Sequence, residues 1–346
     1  MFDFINLQLF ATLPNGANAT VASGSMGTGA VNADLSPENK TYYDMTLIDE
    51  AQALLVHDQF GVKKPIPANG GKTIEFRKFH SYEKALTPLQ EGVTPAGKAV
   101  KVTAITATVD QYGDYTMLSD VLDLTSIDNV VLETTKNHGR QAGLTLDTVT
   151  RDVLNSGTRV VYCPKKDGSE ITSRANLTED CELTVDVVKK VVAQLRACNA
   201  PTINGKYVAI IHPYVAHSLM NDPKWIDAHQ YTNVSNIYDG EIGEIAGARF
   251  VETSEAKVFS GDGCPAGLGV FSTLFLAKDA YGTTEITGGG LQTIVKQKGS
   301  AGTADPLDQR STVGWKAIKT AEILIPDYIV RVESCSAEFS DTVEAN

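Results

Sequence analysis

The chain has 346 residues, of which 42% are hydrophobic, enough to bury one large core or two smaller ones. Its net charge is −12, from 42 acidic and 30 basic residues, and this balance argues against a protein whose main task is tight binding of DNA or RNA. No apolar run approaches the roughly 20 residues that a transmembrane helix needs, and Asp3 stands where a signal peptide carries positive charge. We therefore expect a soluble protein that is made in the cytoplasm and has no membrane partner.

The N-terminal region is predicted to be an arm followed by a helix. Residues 1–35 are rich in Ala, Gly, Asn, Thr and Ser and carry almost no charge, as in a flexible segment without a core of its own. Ser36, Pro37 and Glu38 then form a good helix start, because they supply a capping hydroxyl, a proline at the first helical position and an acid at the positive end of the helix dipole. Residues 1–56 are thus expected to comprise the arm and a first helix.

A long polar excursion follows, between two strand patterns. KTIEFRKF (72–79) alternates apolar and polar residues, and a second alternating pattern begins near Val100. The residues between them are punctuated by Pro and Gly, and loops of this length inside compact domains are usually functional. Because a two-stranded ribbon is marginally stable alone in water, we predict an extended flap, about residues 80–101, that contacts a neighbouring copy of the chain.

An unusually long helix is predicted after the flap, over about residues 126–154. It is expected to begin at a Thr125 or Ser126 cap and to end at Asn155-Ser156-Gly157. The near-heptad spacing of one set of residues marks its predicted inward face: Ile127, Val131, Thr134, His138, Ala142, Leu146, Val149 and Val153. No second metal ligand stands at a suitable spacing from His138, so a packing histidine is the preferred interpretation.

The rest of the chain is predicted to form a mixed domain and then a return to the first one. Helix and strand patterns intermix over residues 160–287, including an amphipathic helix at 183–197, a buried strand at 207–211 and a capped helix at 212–220. Residues 291–332 alternate as antiparallel strands, and the partners expected for them are the early strands near Ile74 and Ile105.

No motif of a known catalytic, metal or nucleotide site occurs in the sequence. His212 and His217 lack further zinc ligands, and the acids Asp110, Asp114 and Asp120 are interpreted as solvated or capping residues. The five cysteines include no C-x-x-C pair and are expected to be reduced thiols. We predict no catalytic, cofactor-binding or metal-binding residue, and no enzyme activity.

Several segments, in order, resemble the major capsid proteins of tailed bacteriophages. They are LSPENKTYYDMTLIDEAQALLVHDQFG, IPANGGKTIEFRKF, ITATVDQYGDYTMLSDVLDLTSID, NDPKWIDAHQY, GEIGEIAGARFVET and DPLDQRSTVGWKAIKTAEIL. The resemblance implies an α+β fold of the Hong Kong 97-like type, with an N-terminal arm, an extended β-hairpin loop, a peripheral domain with a long spine helix, and an axial domain.

Mapped onto this chain, the resemblance implies a specific domain order. Residues 57–159 would form the first part of the peripheral domain, with the extended loop at about 80–101 and the spine helix at about 126–154. Residues 160–287 would form the axial domain, and residues 288–346 would supply the return strands of the peripheral domain and a C-terminal tail.

The implied function is self-assembly as hexamers and pentamers into an icosahedral head around phage double-stranded DNA. The main partner would be the chain itself, and the expected contact residues of the extended loop are Tyr82, Glu83, Lys84, Glu91 and Lys98. A separate scaffolding protein, a portal and decoration proteins are further candidate partners, and packaged DNA would make only weak contact with the lumen. The expected location is the virion capsid, assembled in the cytoplasm of the bacterial host.

Two alternative hypotheses remain at this stage. The chain could be another phage structural protein or an encapsulin-like shell protein, which shares the assembly logic without the DNA-filled head. It could also be a cytoplasmic α/β enzyme whose site has no recognisable motif.

Overall fold

A computed structural model describes most of the chain after the N-terminal arm. The described residues are 46–48, 50–51, 55–67, 69–79, 82, 84–88, 91–92, 94, 97–230, 243–261, 263–285, 287, 289–300, 305–341 and 343–346. The predicted arm and most of the predicted first helix lie outside them, although residues 46–48 and 50–51 are helical.

The described residues contain five longer helices and fourteen strands. The helices are α1 (Asp120–Thr125), α2 (Val130–Asn155), α3 (Val185–Ala197), α4 (Pro213–Met220) and α5 (Pro223–Gln230). The strands are β1 (Val62–Lys63), β2 (Thr73–Phe79), β3 (Val102–Thr108), β4 (Asp110–Ser119), β5 (Val160–Tyr162), β6 (Tyr207–Ile211), β7 (Glu244–Ile245), β8 (Ala248–Glu252), β9 (Val258–Phe259), β10 (Val270–Leu276), β11 (Tyr281–Glu285), β12 (Gln292–Lys296), β13 (Arg310–Ile323) and β14 (Ile329–Ser334).

The chain divides into two compact units. Unit 1 comprises Met1–Leu55, Gln111–Asp147 and Gly288–Lys319, and unit 2 comprises Val56–Asp110, Thr148–Thr287 and Thr320–Asn346. These borders differ from the predicted domain boundaries, because α2 and β13 each contribute residues to both units. Local sequence patterns mark where an element ends, whereas a unit border can fall inside a continuous helix or strand.

Unit 1 is built from an antiparallel sheet packed on α2. β12 pairs with β13 from Gln292 opposite Lys316 to Lys296 opposite Thr312, and β4 also pairs with β13. The buried core residues are Leu47, Ala142, Leu146, Trp315 and Ala317. Polar contacts fix the helix against the sheet, because Trp315 Nε1 donates to Gln141 Oε1 at 3.2 Å and Gln141 Nε2 donates to Asp114 at 2.6 Å.

The long helix forms as predicted, with a rotated inward face. α2 begins at Val130 rather than near Ser126, and the side chain of Asn129 accepts a hydrogen bond from Leu132 N at 3.2 Å. The buried residues include a set spaced three or four apart: Thr135, His138, Ala142, Leu146, Thr150 and Leu154. Of the predicted inward face, His138, Ala142 and Leu146 are buried, whereas Val131 and Val149 are only half-buried and Ile127 is exposed. The buried face also includes the polar residues Asp147, Thr150 and Arg151, which a pattern of apolar residues does not mark.

His138 occupies the packing role predicted for it. Its ring is buried, and Nδ1 lies 3.1 Å from Oε1 of Gln141.

Unit 2 is organised around a seven-stranded mixed sheet. Its strand order is β5-β14-β10-β6-β8-β7, and β9 also pairs with β10. All residues of β6 and β10 are buried, as expected for central strands covered on both faces. The predicted helices at 183–197 and 212–220 correspond to α3 and α4, and the predicted strand at 207–211 is β6.

The predicted partners of the late strands are wrong. β2 and β3 pair only with each other among the described strands, as a two-stranded sheet, and not with residues 291–332. β13 instead pairs with β12, β4 and β11, while β14 lies between β10 and β5 in the unit 2 sheet. Five of the six residues of β14 are buried. This burial is typical of a central strand that is covered on both faces of its sheet, and not of an edge strand in a small sheet.

We expect Leu146→Ala to lower the free energy of unfolding of the unassembled protein by about 2–5 kcal/mol, because it leaves a cavity in the unit 1 core. Asn137→Ala, at an exposed position of the same helix, is the control and should change stability by less than about 0.5 kcal/mol. Denaturant unfolding followed by circular dichroism measures both. Equal effects of the two substitutions would mean that the face of α2 is assigned wrongly.

A buried histidine begins α4. His212 Nδ1 accepts a hydrogen bond from Tyr214 N at 3.2 Å, and the ring packs against Phe271 with centroids 4.9 Å apart. Burial lowers the pKa of His212 from its ordinary 6.5 to about 4, because the protonated ring would lose hydration. The neutral ring is also the form that can accept the capping hydrogen bond.

Between pH 6.5 and pH 4 the unfolded chain binds a proton at His212 that the folded chain does not, so stability falls as the pH is lowered through this window. We expect the native protein to lose about 2–3 kcal/mol more than His212→Asn between pH 7 and pH 4.5, since asparagine keeps a cap acceptor and does not titrate. Parallel loss of stability in the two proteins, measured by denaturant unfolding, would contradict the assignment.

Candidate assembly surfaces

The flap is a hairpin whose described outer part lies in solvent. β2 and β3 pair antiparallel from Thr73 opposite Thr108 to Phe79 opposite Val102. Beyond this ladder every described residue of 82–101 is exposed, including Leu86 at 82% and Tyr82 at 58%. Large apolar side chains in this position contribute almost nothing to the stability of a single chain.

The base of the flap is anchored in unit 2. Phe76 is buried against β11, where a Cβ atom on Gly282 would lie only 2.8 Å from the Phe76 ring. Lys64 Nζ lies 5.6 Å from the centre of the same ring. This close approach explains the glycine at position 282 and anchors the base of the hairpin.

The predicted contact residues lie in the exposed part of the flap. Tyr82, Lys84, Glu91 and Lys98 are all exposed, and Glu83 lies outside the described residues. Their contact with a neighbouring copy stays a prediction.

A second exposed surface is the outer face of the unit 1 sheet, opposite the face that packs on α2. Gly314 lies opposite Ile294 on β12, and a Cβ atom at Gly314 would lie 2.7 Å from the Cβ of Tyr115 on β4. The missing side chain leaves a notch between Ile294 and Tyr115, within a groove of about 390 Å³ that Lys296 and Thr312 extend. Tyr115 is 65% exposed.

The turn region next to this sheet exposes further apolar residues. α1 has no buried residue, and its exposed apolar side chains include Val121 and Leu124. A hydrogen bond from Asp120 N to the Gln309 carbonyl at 2.9 Å and an ion pair between Lys298 and Asp123 at 2.8 Å fix α1 to the neighbouring turn. The exposed side chains are therefore held on an ordered support. Neither this surface nor the notch is predictable from the sequence, since local patterns do not show which apolar residues stay uncovered.

The residues weighed for catalysis do not converge. His212 is buried as a helix cap, whereas His217 is half exposed and lies 3.7 Å from Glu338. Asp114 accepts hydrogen bonds from Gln141 and from Tyr115 N, and these bonds lower its pKa. Among the described residues no group of His, Cys, Asp or Glu is arranged to hold a metal ion.

The cysteines of unit 2 are thiols, two of them with low reactivity. Burial raises the pKa of Cys163 well above its usual value and that of Cys335 to about 12, so neither forms a thiolate at neutral pH. No described helix is long and apolar enough to cross a membrane.

A family model described as phage capsid protein matches residues 102–332. The chain belongs to the phage capsid protein family. This membership confirms the resemblance to tailed-phage major capsid proteins and assigns the chain a structural role in the phage head. A search of curated proteins found no significant match.

Solved phage capsids share the fold at low sequence identity. The capsid of cyanophage P-SCSP1u aligns with a TM-score of 0.64 and 14% identity, covering 82% of this chain and 88% of that chain. The capsid of cyanophage Pam1 aligns with a TM-score of 0.64 and 12% identity, covering 95% and 99%. The capsid of Ralstonia phage GP4 aligns with a TM-score of 0.61 and 15% identity, covering 81% and 88%. The predicted Hong Kong 97-like α+β fold is thereby confirmed.

Proposed function

We propose that this phage capsid protein self-assembles as hexamers and pentamers into an icosahedral head that encloses double-stranded DNA, and that it has no catalytic role. Family membership supports the structural role. The observation that carries the assembly proposal is the flap, a hairpin with an anchored base whose described outer part exposes apolar residues. Such a ribbon gains stability when another copy covers it.

The surface that best fits the flap is the outer face of the unit 1 sheet in a neighbouring copy. It offers the exposed side chains of Tyr115, Met117 and Ile294 around the notch at Gly314, and the flap offers Leu86 and Tyr82. A contact between two different surfaces of identical chains is heterologous and closes into a ring when the rotation between copies allows it. This is the arrangement that pentamers and hexamers require.

Other parts of the proposal rest on the family fold. We assign the peripheral role to the sheet and long helix of unit 1 and the axial role to the seven-stranded sheet of unit 2. Assembly would take place in the host cytoplasm with a separate scaffolding protein, portal and decoration proteins as partners, and the product would be the virion capsid.

The double substitution Tyr82→Ser with Leu86→Ser should abolish shell formation and leave the folded chain unchanged. Both side chains are exposed in the single chain, so the midpoint of thermal unfolding of the unassembled protein should stay within about 2 °C of the native value. Sedimentation and negative-stain electron microscopy report assembly. Thr87→Ser with Thr94→Ser, at exposed polar positions of the same flap, is the control and should still form shells. Normal shells from the Tyr82 and Leu86 variant would refute the role of the flap.

Assembly should improve as the salt concentration rises from 0.01 M to 0.1 M. Each subunit carries a net charge of −12, and the Debye length falls from about 30 Å to about 10 Å over this range, which screens the repulsion between subunits. The same charge should prevent the unassembled protein from shifting duplex DNA in a gel at 0.1 M salt. Micromolar DNA binding that weakens steeply with added salt would contradict the proposed weak contact with packaged DNA.

A further inference from the structure

A tight turn before β6 consists of an asparagine and a glycine. Ile203 and Lys206 exchange two backbone hydrogen bonds, at 2.8 and 3.0 Å, and thereby close a hairpin turn over Asn204 and Gly205. Both turn residues have a positive φ, 52° at Asn204 and 85° at Gly205, as in a type I′ turn. Asparagine and glycine adopt this conformation more easily than other residues, which explains the pair at this position.

An asparagine followed by glycine also carries a reaction of its own. The backbone nitrogen of the glycine loses its proton and attacks Cγ of the asparagine side chain, so that a C–N bond forms and closes a five-membered succinimide ring. The bond from Cγ to the side-chain nitrogen breaks, and this nitrogen leaves as ammonia. Water then opens the ring at either of its two carbonyl groups and leaves aspartate or isoaspartate. Glycine favours the attack because it has no side chain that hinders its nitrogen.

The fold decides whether the attacking nitrogen is available. An N–H group that donates a hydrogen bond is held in place, and the bond must break before the nitrogen can react. Such a bond, to a backbone carbonyl, is made by the residues that follow five of the described asparagines: Gly70, Ser156, Leu177, Ala200 and Asp222. We expect the side-chain amides of these asparagines to be protected in the folded protein.

The backbone nitrogen of Gly205 is open. Within the part of the chain that the structure describes, no hydrogen bond from it is found, and a Cβ atom on Gly205 would meet nothing within 4 Å. Asn204 and Gly205 are both exposed to water. The turn is closed by the isolated bridge between Ile203 and Lys206, and local opening of so short a ladder costs little free energy. The backbone can therefore rotate to bring the nitrogen to Cγ.

A second asparagine–glycine pair provides the comparison within the same chain. Asn69 and Gly70 are also exposed, and Asn69 also has a positive φ, of 65°. Gly70 N, however, donates to the Pro67 carbonyl at 2.9 Å. The two pairs share their sequence and their exposure, so the hydrogen bond of the glycine nitrogen is the difference that bears on the reaction.

We propose that Asn204 is a site of spontaneous deamidation, in which the backbone nitrogen of Gly205 attacks the side-chain amide and water is the co-reactant. The product carries an added negative charge beside Lys206, whose ammonium group pairs with Glu244. Isoaspartate also adds a carbon to the main chain of the turn, which disrupts the bridge between Ile203 and Lys206. This modification goes beyond the proposed function and does not depend on shell formation.

Peptide-resolved mass spectrometry of the full-length unassembled protein, incubated in mildly alkaline buffer, tests the proposal. In the folded protein Asn204 should convert at least about tenfold faster than Asn69, because the Gly70 nitrogen must first lose its hydrogen bond. The products at position 204 should include isoaspartate, which forms through the ring and not by direct hydrolysis. In denaturant the two asparagines should convert at similar rates, since the unfolded chain protects neither.

Asn204→Gly is the matched control, because glycine accepts the positive φ and lacks the side-chain amide. It should show no conversion at position 204 and unchanged conversion at Asn69. Equal rates at Asn204 and Asn69 in the folded protein would overturn the proposal. Aspartate without isoaspartate at position 204 would also overturn it, because direct hydrolysis would then be the reaction. A preference for Asn204 that persists in denaturant would contradict the role assigned to the fold.

Discussion

The exposure of large apolar side chains to water is the strongest physical constraint on this molecule. Each Å² of apolar surface left in water costs about 25 cal/mol relative to its burial. Large contiguous apolar patches on the surface of a soluble protein therefore mark places that another molecule covers. Here such side chains concentrate on the flap, the outer face of the unit 1 sheet and α1. Each of these regions is attached to an ordered part of the fold. Its apolar residues therefore form a defined exposed surface and do not result from an incomplete core.

Contacts in the core of each unit hold its own exposed surface in a fixed position. In unit 1, the contacts of Trp315 and Asp114 with Gln141 hold the sheet on α2 and fix which face points outward. In unit 2, Arg174 and Arg331 compensate the buried charge of Glu333 and hold β14 between β10 and β5. Removing one partner of a buried ion pair is strongly destabilising, since the remaining charge is left without compensation. This ion-pair cluster therefore helps to keep β5 and β10 on either side of β14.

Local patterns in the sequence predicted the helices and strands better than they predicted which strands pair with each other. The long helix, the flap strands and the buried strand β6 follow from capping residues and from hydrophobic periodicity, which act over a few residues. The pairing of β13 with β4 and of β14 with β10 joins segments far apart in sequence, and no short motif encodes it. The inward face of α2 was predicted only in part, because buried polar residues such as Asp147 and Arg151 do not contribute to hydrophobic periodicity.

The exposed surfaces proposed for assembly were only partly predictable for the same reason. Tyr82 and Lys84 stand in a stretch whose composition already excludes a core, so their exposure follows from sequence. Tyr115 and Ile294 have ordinary strand patterns, and their exposure depends on which face of the sheet meets α2. The notch at Gly314 appears only when β4 and β12 are placed on either side of β13.

Electron cryomicroscopy of particles formed by the protein would show directly whether the flap contacts a neighbouring subunit. We expect closed shells in which the flap of each subunit crosses to a neighbour and places Leu86 or Tyr82 in the notch between Tyr115 and Ile294. Shells in which each flap folds back on its own subunit, or in which the outer face of the unit 1 sheet faces solvent uncovered, would contradict it.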